Sequence, residues 1–423
     1  MLTAFDVLNA GFLVAVAAAG LFVLWWPTRS RASPSRLDRL ASDLRRYLGD
    51  WRVLAFAAAV VYVGVTTYDL EAGLYGCSHA AGPSDALAYF ESGRAFLTGG
   101  NPFVVSNCGG SVSIPYGLSV VLVNAIGSLG GLPGVVLLWG AIAILILPLT
   151  AWVAGSDRRY VVLVVATSLL FLPLVVSQID GASNVLVPVA VLLTLGLARR
   201  GGVLAGAVGG ALASGRFPSL FPTVGASGRF SRPFLSGAVA VVAFSAVTGV
   251  TYLAYGRGFL DVVFTGEIGR RSFSLNLYGV LLQQGWLPGG DGVAGVQAAL
   301  TIALVVVVFF RARTALGAAA ITLTGVLLLS QFLSFNILAW ILPVALLGTR
   351  PRWWLWGIGV LGTLDYTLGY SWAAVDLGIW WPYEVMDVVL TVLLIGLFVD
   401  AWRADRAAAP AAAPRPAAPS MTS

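Results

Sequence analysis

The sequence predicts an all-α fold, a polytopic transmembrane helical bundle, and two observations carry that prediction. Hydrophobic residues make up 58% of the 423 positions, charged residues only 10%, and mean hydropathy is +0.88. Soluble domains carry about 25% charged residues. Long apolar runs also recur from end to end, and about 20 residues cross a bilayer. The alternating ten-residue segments of a membrane barrel are absent.

The apolar segments fall at 8–26, 53–68, 114–130, 131–154, 160–177, 183–198, 202–228, 234–254, 292–312, 315–334, 335–349, 352–372 and 384–402. That is about 13 spans of bilayer length, some of them possible re-entrant pairs. Residues 1–52 read as an extra N-terminal transmembrane helix with an Arg-rich linker. No small-residue cleavage pattern follows 8–26, so the helix is expected to be retained. Residues 53–402 form the transmembrane core. Residues 403–423, rich in Ala and Pro, are expected to be a disordered cytoplasmic tail.

Every cation is an arginine, and net charge is +6. The arginines cluster at segment ends, so the basic balance reflects membrane orientation and does not argue for nucleic acid. Arg29, Arg31, Arg36, Arg39, Arg45, Arg46 and Arg52 place segment 27–52 in the cytoplasm. Arg311/Arg313, Arg350/Arg352, Arg403 and Arg406 fit the same side. Loops 69–113 and 255–291 then fall outside. A simple count puts either Arg158/Arg159 or the serine-aspartate side of that hairpin on the wrong face, and Arg199/Arg200 raise the same problem. Half-helices near Pro218 and Pro222 would change that count without moving the two outer loops.

The first outer loop holds "GPSDALAYFESGRAFLTGGNPF", residues 82–103. Pro83 and Ser84 make a helix start, with Ser84 as N-cap. Apolar spacing through 85–98 predicts a short helix at the membrane interface. Asp85 sits in its first turn, where the helix dipole favours a carboxylate. It either caps the helix in solvent or acts as a general base; Glu91 reads as a solvated position. Cys77 and Cys108, the only cysteines, share this loop. On an oxidising face a disulfide is expected; two buried thiols are the alternative.

The second outer loop carries Arg257, Arg270 and Arg271 among Tyr255, Phe264, Phe273, Tyr278 and Trp286. Guanidinium forks suit a lipid phosphate, and headgroup anchoring is the competing reading. "SQIDGASN", residues 177–184, offers Gln178, Asp180 and Asn184 as cavity-lining groups or as a plain interfacial turn. Arg216 in "ASGRFPSLFP" is a further polar break in lipid-like sequence.

His79 is the only histidine, which leaves no His-rich metal site and no Ser-His-Asp triad. No P-loop or strand-borne GxGxxG is present. The reading therefore calls for no metal or cofactor, and any energy has to arrive with the substrate.

These residues resemble a known family, the polyprenyl-phosphate-mannose-dependent mannosyltransferases of the GT-C fold (GT87). The family's pattern is an Asp, a Tyr a few residues on, a Gly-Arg…Gly-Gly turn, and a Tyr-Pro-Pro opening the next helix. Here it reads as Asp85, Tyr89, "SGRAFLTGGNPF" and "IPYG" at 114–117. The family's Gly-Gln-x-Asn is matched by "SQIDGASN". Its Lys-Pro after a Gly-rich helix is matched by "ASGRFP", with Arg216 for Lys. Its Asn-rich stretch is matched by "LNLYGVLL" at 275–282, with Asn276. The likeness spans roughly 53–350.

The resemblance implies a GT-C glycosyltransferase-like bundle in the plasma membrane, with its active site on the extracytoplasmic face. It implies metal-independent, inverting transfer of a sugar, most often mannose. The donor would be a polyprenyl-phosphate sugar and the acceptor a glycolipid or lipoglycan. Asp85 would be the base. Arg270, Arg271, Arg257 and Arg216 would be candidates for the donor phosphate, and Tyr89, Gln178, Asp180, Asn184 and Asn276 would line the cavity. A Cys77–Cys108 bridge would restrain the loop around Asp85. Transfer of another sugar such as arabinofuranose is the variant within the class; a lipid or sugar transporter or flippase is the alternative outside it.

Overall fold

A computed structural model describes residues 50–71, 85–114, 116–154, 182–260, 281, 286, 291–330, 341–348 and 381–408. The described chain is predominantly helical. Its elements are α1 (Trp51–Glu71), α2 (Asp85–Leu97), β1 (Val104–Asn107), β2 (Gly110–Ser113), α3 (Leu118–Ser128), α4 (Gly131–Ile144) and α5 (Ile146–Ala154). They continue with α6 (Leu186–Ala198), α7 (Gly202–Ala213), α8 (Leu220–Ser227), α9 (Pro233–Tyr255) and α10 (Arg257–Leu260). The last are α11 (Asp291–Arg311), α12 (Ala315–Leu329), α13 (Leu342–Gly348) and α14 (Trp381–Ala407). Short 3-10 turns, Ala182–Val185 and Phe217–Ser219, precede α6 and α8.

Among the described residues, two helices are long and apolar enough to cross a bilayer, Gly131–Ala154 and Pro233–Tyr255. The first is α4 and α5 joined at Leu145. Pro148 has no N–H to give Ile144, so one ladder bond is missing there. The expected count of about 13 spans is not reached among the described residues; segments 8–26, 160–177 and 352–372 lie outside them.

Segment 202–228 departs from the sequence expectation most clearly. It is a helical hairpin of α7 and α8, not one span. Gly202, Gly206 and Gly210 lie at small-residue spacing along α7. A Cβ at Gly206 would meet the backbone of Ser236, and one at Gly210 the backbone of Ala240. Bare backbone lets α7 lie directly on α9. At Ser214–Pro218 the chain turns, and α8 returns alongside α7, with Gly209 against Thr223. The turn falls part-way along α9, which continues from Ala240 to Tyr255.

That return gathers arginines at one end of the bundle. Arg199 donates to the Trp152 and Val153 carbonyls (3.1 and 2.6 Å), the last turn of α5. Arg229 donates to Ala312 and to Phe310 (3.0 Å), at the end of α11. Arg313 donates to the Arg406 carbonyl at 2.5 Å. Cations there satisfy orphan carbonyls and complement the helix dipoles.

Residues 403–407, assigned from sequence to a disordered tail, continue α14. Asp405 is buried, at 2% exposure. Its carboxylate accepts from the Arg313 N–H (2.6 Å), the Thr314 N–H (2.9 Å) and the Thr314 hydroxyl (2.8 Å). This holds the α14 terminus on the start of α12.

Candidate functional site

The first outer-loop motif builds a support. α2 starts at Asp85 as the spacing predicts. It ends in a Schellman motif: Gly99 takes φ +78°, its N–H bonds to the Phe96 carbonyl (3.2 Å), and the Gly100 N–H bonds to Ala95 (2.7 Å). Asn101 Oδ1 then accepts from the Phe103 N–H at 3.0 Å, and the Ser92 hydroxyl donates to the Pro102 carbonyl at 2.8 Å. The Gly-Gly-Asn-Pro-Phe run therefore folds the chain back on α2. It seats Phe103 against Tyr255 and Phe259, with ring centres 5.2 and 4.8 Å apart. Glu91 pairs with Arg94 at 3.3 Å on the surface.

The β1–β2 hairpin follows, which the sequence reading missed. Cys108 and Gly109 have φ +51° and +81°. Positive φ at both central residues is the signature of a tight hairpin turn. Val-Val-Ser-Asn before the turn and Ser-Val-Ser after it were the available signal. Cys108 is exposed and disulfide-bonded; the chain's other cysteine, Cys77, lies outside the described residues.

Three connecting segments meet beyond this support: Ile114, Tyr116 and Gly117 between β2 and α3, the 3-10 turn before α6, and the Ser214–Pro218 turn. The Gly117 N–H donates to the Gly215 carbonyl at 3.0 Å. A Cβ at Gly117 would overlap the Ser214 carbonyl oxygen. Ser119 donates to the Ala211 carbonyl (3.1 Å) and bonds to the Ser214 hydroxyl (3.0 Å). The start of α3 is thus strapped to the hairpin turn.

Arg216 sits at this junction, 6% exposed. Its Nη2 donates to Asn184 Oδ1 at 2.6 Å and to Ser183 Oγ at 3.1 Å. Its guanidinium carbon lies 3.9 Å from the centre of the Tyr116 ring. The same Ser183 hydroxyl is 2.8 Å from the Tyr89 hydroxyl. Tyr89 leans edge-on to Tyr116 (5.7 Å) and lies 6.2 Å from Trp139, whose Nε1 donates to Asn124 Oδ1 at 2.9 Å. Tyr89 is four residues after Asp85 on α2. Helical register therefore puts position 85 one turn from Tyr89 on the same face.

Of the predicted site residues, the structure brings Tyr89, Asn184 and Arg216 together. Arg257 is exposed at the start of α10, next to the Phe103–Phe259 aromatic group and not in the Arg216 cluster. Gln178, Asp180, Arg270, Arg271 and Asn276 lie outside the described residues. Sequence reasoning passed over Tyr116, Ser183, Trp139 and Asn124, although the first two stand inside motifs it singled out. Among the described residues no group of His, Cys, Asp and Glu could hold a metal ion.

Chemically, the cluster is a planar cation in a buried, hydrogen-bonded setting, oriented by its protein contacts. Such a group suits an oxyanion, phosphate above all. In comparisons with known proteins, the chain matches no family model, no curated protein and no solved structure.

Proposed function

We propose that this chain is an integral membrane glycosyltransferase that uses a polyprenyl-phosphate sugar, with mannose the first sugar to test. One observation carries the reading: the helix that begins at Asp85 delivers Tyr89, one turn on, to the serine that also accepts from Arg216. A carboxylate position and a buried phosphate-binding cation are thereby tied to one cluster.

In the reaction, an acceptor hydroxyl oxygen attacks the anomeric carbon and its proton passes to the Asp85 carboxylate. The bond from that carbon to the lipid-phosphate oxygen breaks from the opposite face, which inverts the centre. The polyprenyl phosphate leaves with the electron pair. Arg216 offsets the charge developing there. The acceptor is a glycolipid or lipoglycan.

Membrane placement is supported by the outward face of α9, where Phe234, Val242 and Leu253 are exposed at 69%, 64% and 83%. A continuous apolar face suits acyl chains. The arginine-capped end is the cytoplasmic end by the positive-inside rule. The Asp85 end is then extracytoplasmic, where the Cys108 disulfide also fits.

A second reading has its own observation. A helical hairpin that turns back part-way along its neighbour, beside a buried polar cluster, is also an element of transporter architecture. Under it, the cluster would pass an anionic lipid across the membrane.

One assay separates the two. Reconstituted protein receives labelled polyprenyl-phosphate mannose and a membrane lipid extract. The glycosyltransferase reading expects labelled glycolipid from the wild type and at least about 100-fold less from Asp85→Asn. Undiminished transfer by that variant removes Asp85 as base. Movement of labelled donor between leaflets without product supports the transporter.

A further inference from the structure

The Arg216–Tyr116 pair differs from the other cation–ring pairs among the described residues. Arg52–Trp51, Arg94–Phe90, Arg200–Trp152 and Arg406–Trp402 stand 5.7 to 5.8 Å apart, and each joins neighbouring surface positions or helix ends. Arg216 lies at 3.9 Å over Tyr116, and both residues are buried. At that distance the guanidinium is in van der Waals contact with the ring.

The backbone enforces the approach. Gly117, the next residue, is hydrogen-bonded to Gly215 and has no room for a side chain. Gly215 itself is walled in by Leu186 and Ser119. Residue 116 is therefore held beside residue 216 by main-chain contacts on its C-terminal side and by the Ser119–Ser214 hydroxyl pair. The ring covers one face of the guanidinium while Asn184 and Ser183 hold its Nη2 edge. A ring contact and an edge contact together define the orientation of a planar group; either alone leaves it free to rotate.

We propose that Tyr116 is a positioning residue, which sets the plane in which Arg216 meets the phosphate of an anionic polyprenyl lipid. The proposal rests on the reading of Arg216 as the lipid-phosphate ligand. It makes a demand that charge alone does not: Lys at 216 keeps the charge but has no plane for the ring to set.

The test titrates undecaprenyl phosphate into full-length protein in nanodiscs and follows melting of the same samples without the lipid. Tyr116→Leu and Arg216→Lys should each weaken binding about tenfold, and Tyr116→Phe should restore it to within about threefold of wild type. The Tyr116→Leu/Arg216→Lys double variant should bind no more than about threefold worse than the poorer single, because the two residues act as one unit. Wild-type affinity in Arg216→Lys, a Tyr116→Phe as weak as Tyr116→Leu, or multiplied losses in the double variant would each overturn the proposal. If Tyr116→Leu does not fold, Tyr116→Met takes its place in the same comparisons, alone and with Arg216→Lys. If the wild type takes up no undecaprenyl phosphate, the lipid-phosphate reading fails separately. Melting shifts then decide the contact: non-additive shifts in the double variant uphold the pairing, and additive shifts reject it.

Discussion

Two buried charged side chains, Arg216 and Asp405, are held in different ways. The Asp405 carboxylate meets three donors, two of them main-chain N–H groups at the start of α12, all from the adjacent residues Arg313 and Thr314. Thr314 in turn caps Gly317 at 2.9 Å. This is a helix N-terminus capped by a carboxylate from another helix, a closed structural joint. Arg216 is held by side chains instead: Asn184 and Ser183 from the turn before α6, and the Tyr116 ring from the segment between β2 and α3. Burial of charge by itself therefore does not mark function here. The informative difference is whether the partners are one helix end or side chains converging from several connecting segments.

The largest expected effect falls on the Arg216 side. Gly117→Ala puts a methyl group into the Ser214 carbonyl, a backbone atom that cannot swing away. The start of α3 has to lift from the hairpin turn, at a cost of about 3 kcal/mol. A melting curve and a sugar-transfer assay on the same preparation check this; both signals should fall together.

On the Asp405 side, Asp405→Ala strands two main-chain donors and should cost about 2 kcal/mol of stability. Gly317→Ala is expected to cost less, about 1 kcal/mol, because the obstacle to its new methyl is the Asp405 side chain. The two should sum to less than full additivity: Ala at 405 removes the carboxylate atoms that would lie 2.2 and 2.7 Å from the new methyl and leaves only its own Cβ, at 2.8 Å. Additive melting shifts would show that Gly317 is needed for some other reason. The smallest effect belongs to Glu91→Gln. Its pairing with Arg94 is exposed, so unfolding should shift by under about 0.5 kcal/mol and transfer should not change.

Much of the helical framework was legible because apolar length alone specifies it. Segments 131–154 and 234–254 correspond closely to Gly131–Ala154 and Pro233–Tyr255. The α2 helix was legible from the periodicity after Ser84. The α7–α8 hairpin was not, because "GVLAGAVGGALASGRFPSLFPTVGAS" is apolar throughout and Gly215 and Pro218 mark a kink as readily as a reversal. Tertiary packing decided it, through Gly206 and Gly210 on α9 and through Arg229 reaching the end of α11. At the site, Tyr89, Asn184 and Arg216 were each singled out from local polarity or motif likeness. Their meeting was not visible, nor was Tyr116 beneath Arg216. Those contacts join residues far apart in the chain, and local sequence does not encode such distances.

The central claim is that the Arg216 cluster acts on a polyprenyl-phosphate sugar while the Asp405 joint only holds helices together. Its most direct measurement is mannose transfer from polyprenyl-phosphate mannose, normalised to folded protein, for wild type, Arg216→Met and Asp405→Asn in nanodiscs. The account predicts at least about 100-fold less transfer for Arg216→Met, the loss expected when a preorganised charge is removed from a transition state. It predicts transfer within about threefold of wild type for Asp405→Asn, with that variant's melting point lowered. Wild-type transfer by Arg216→Met would contradict it.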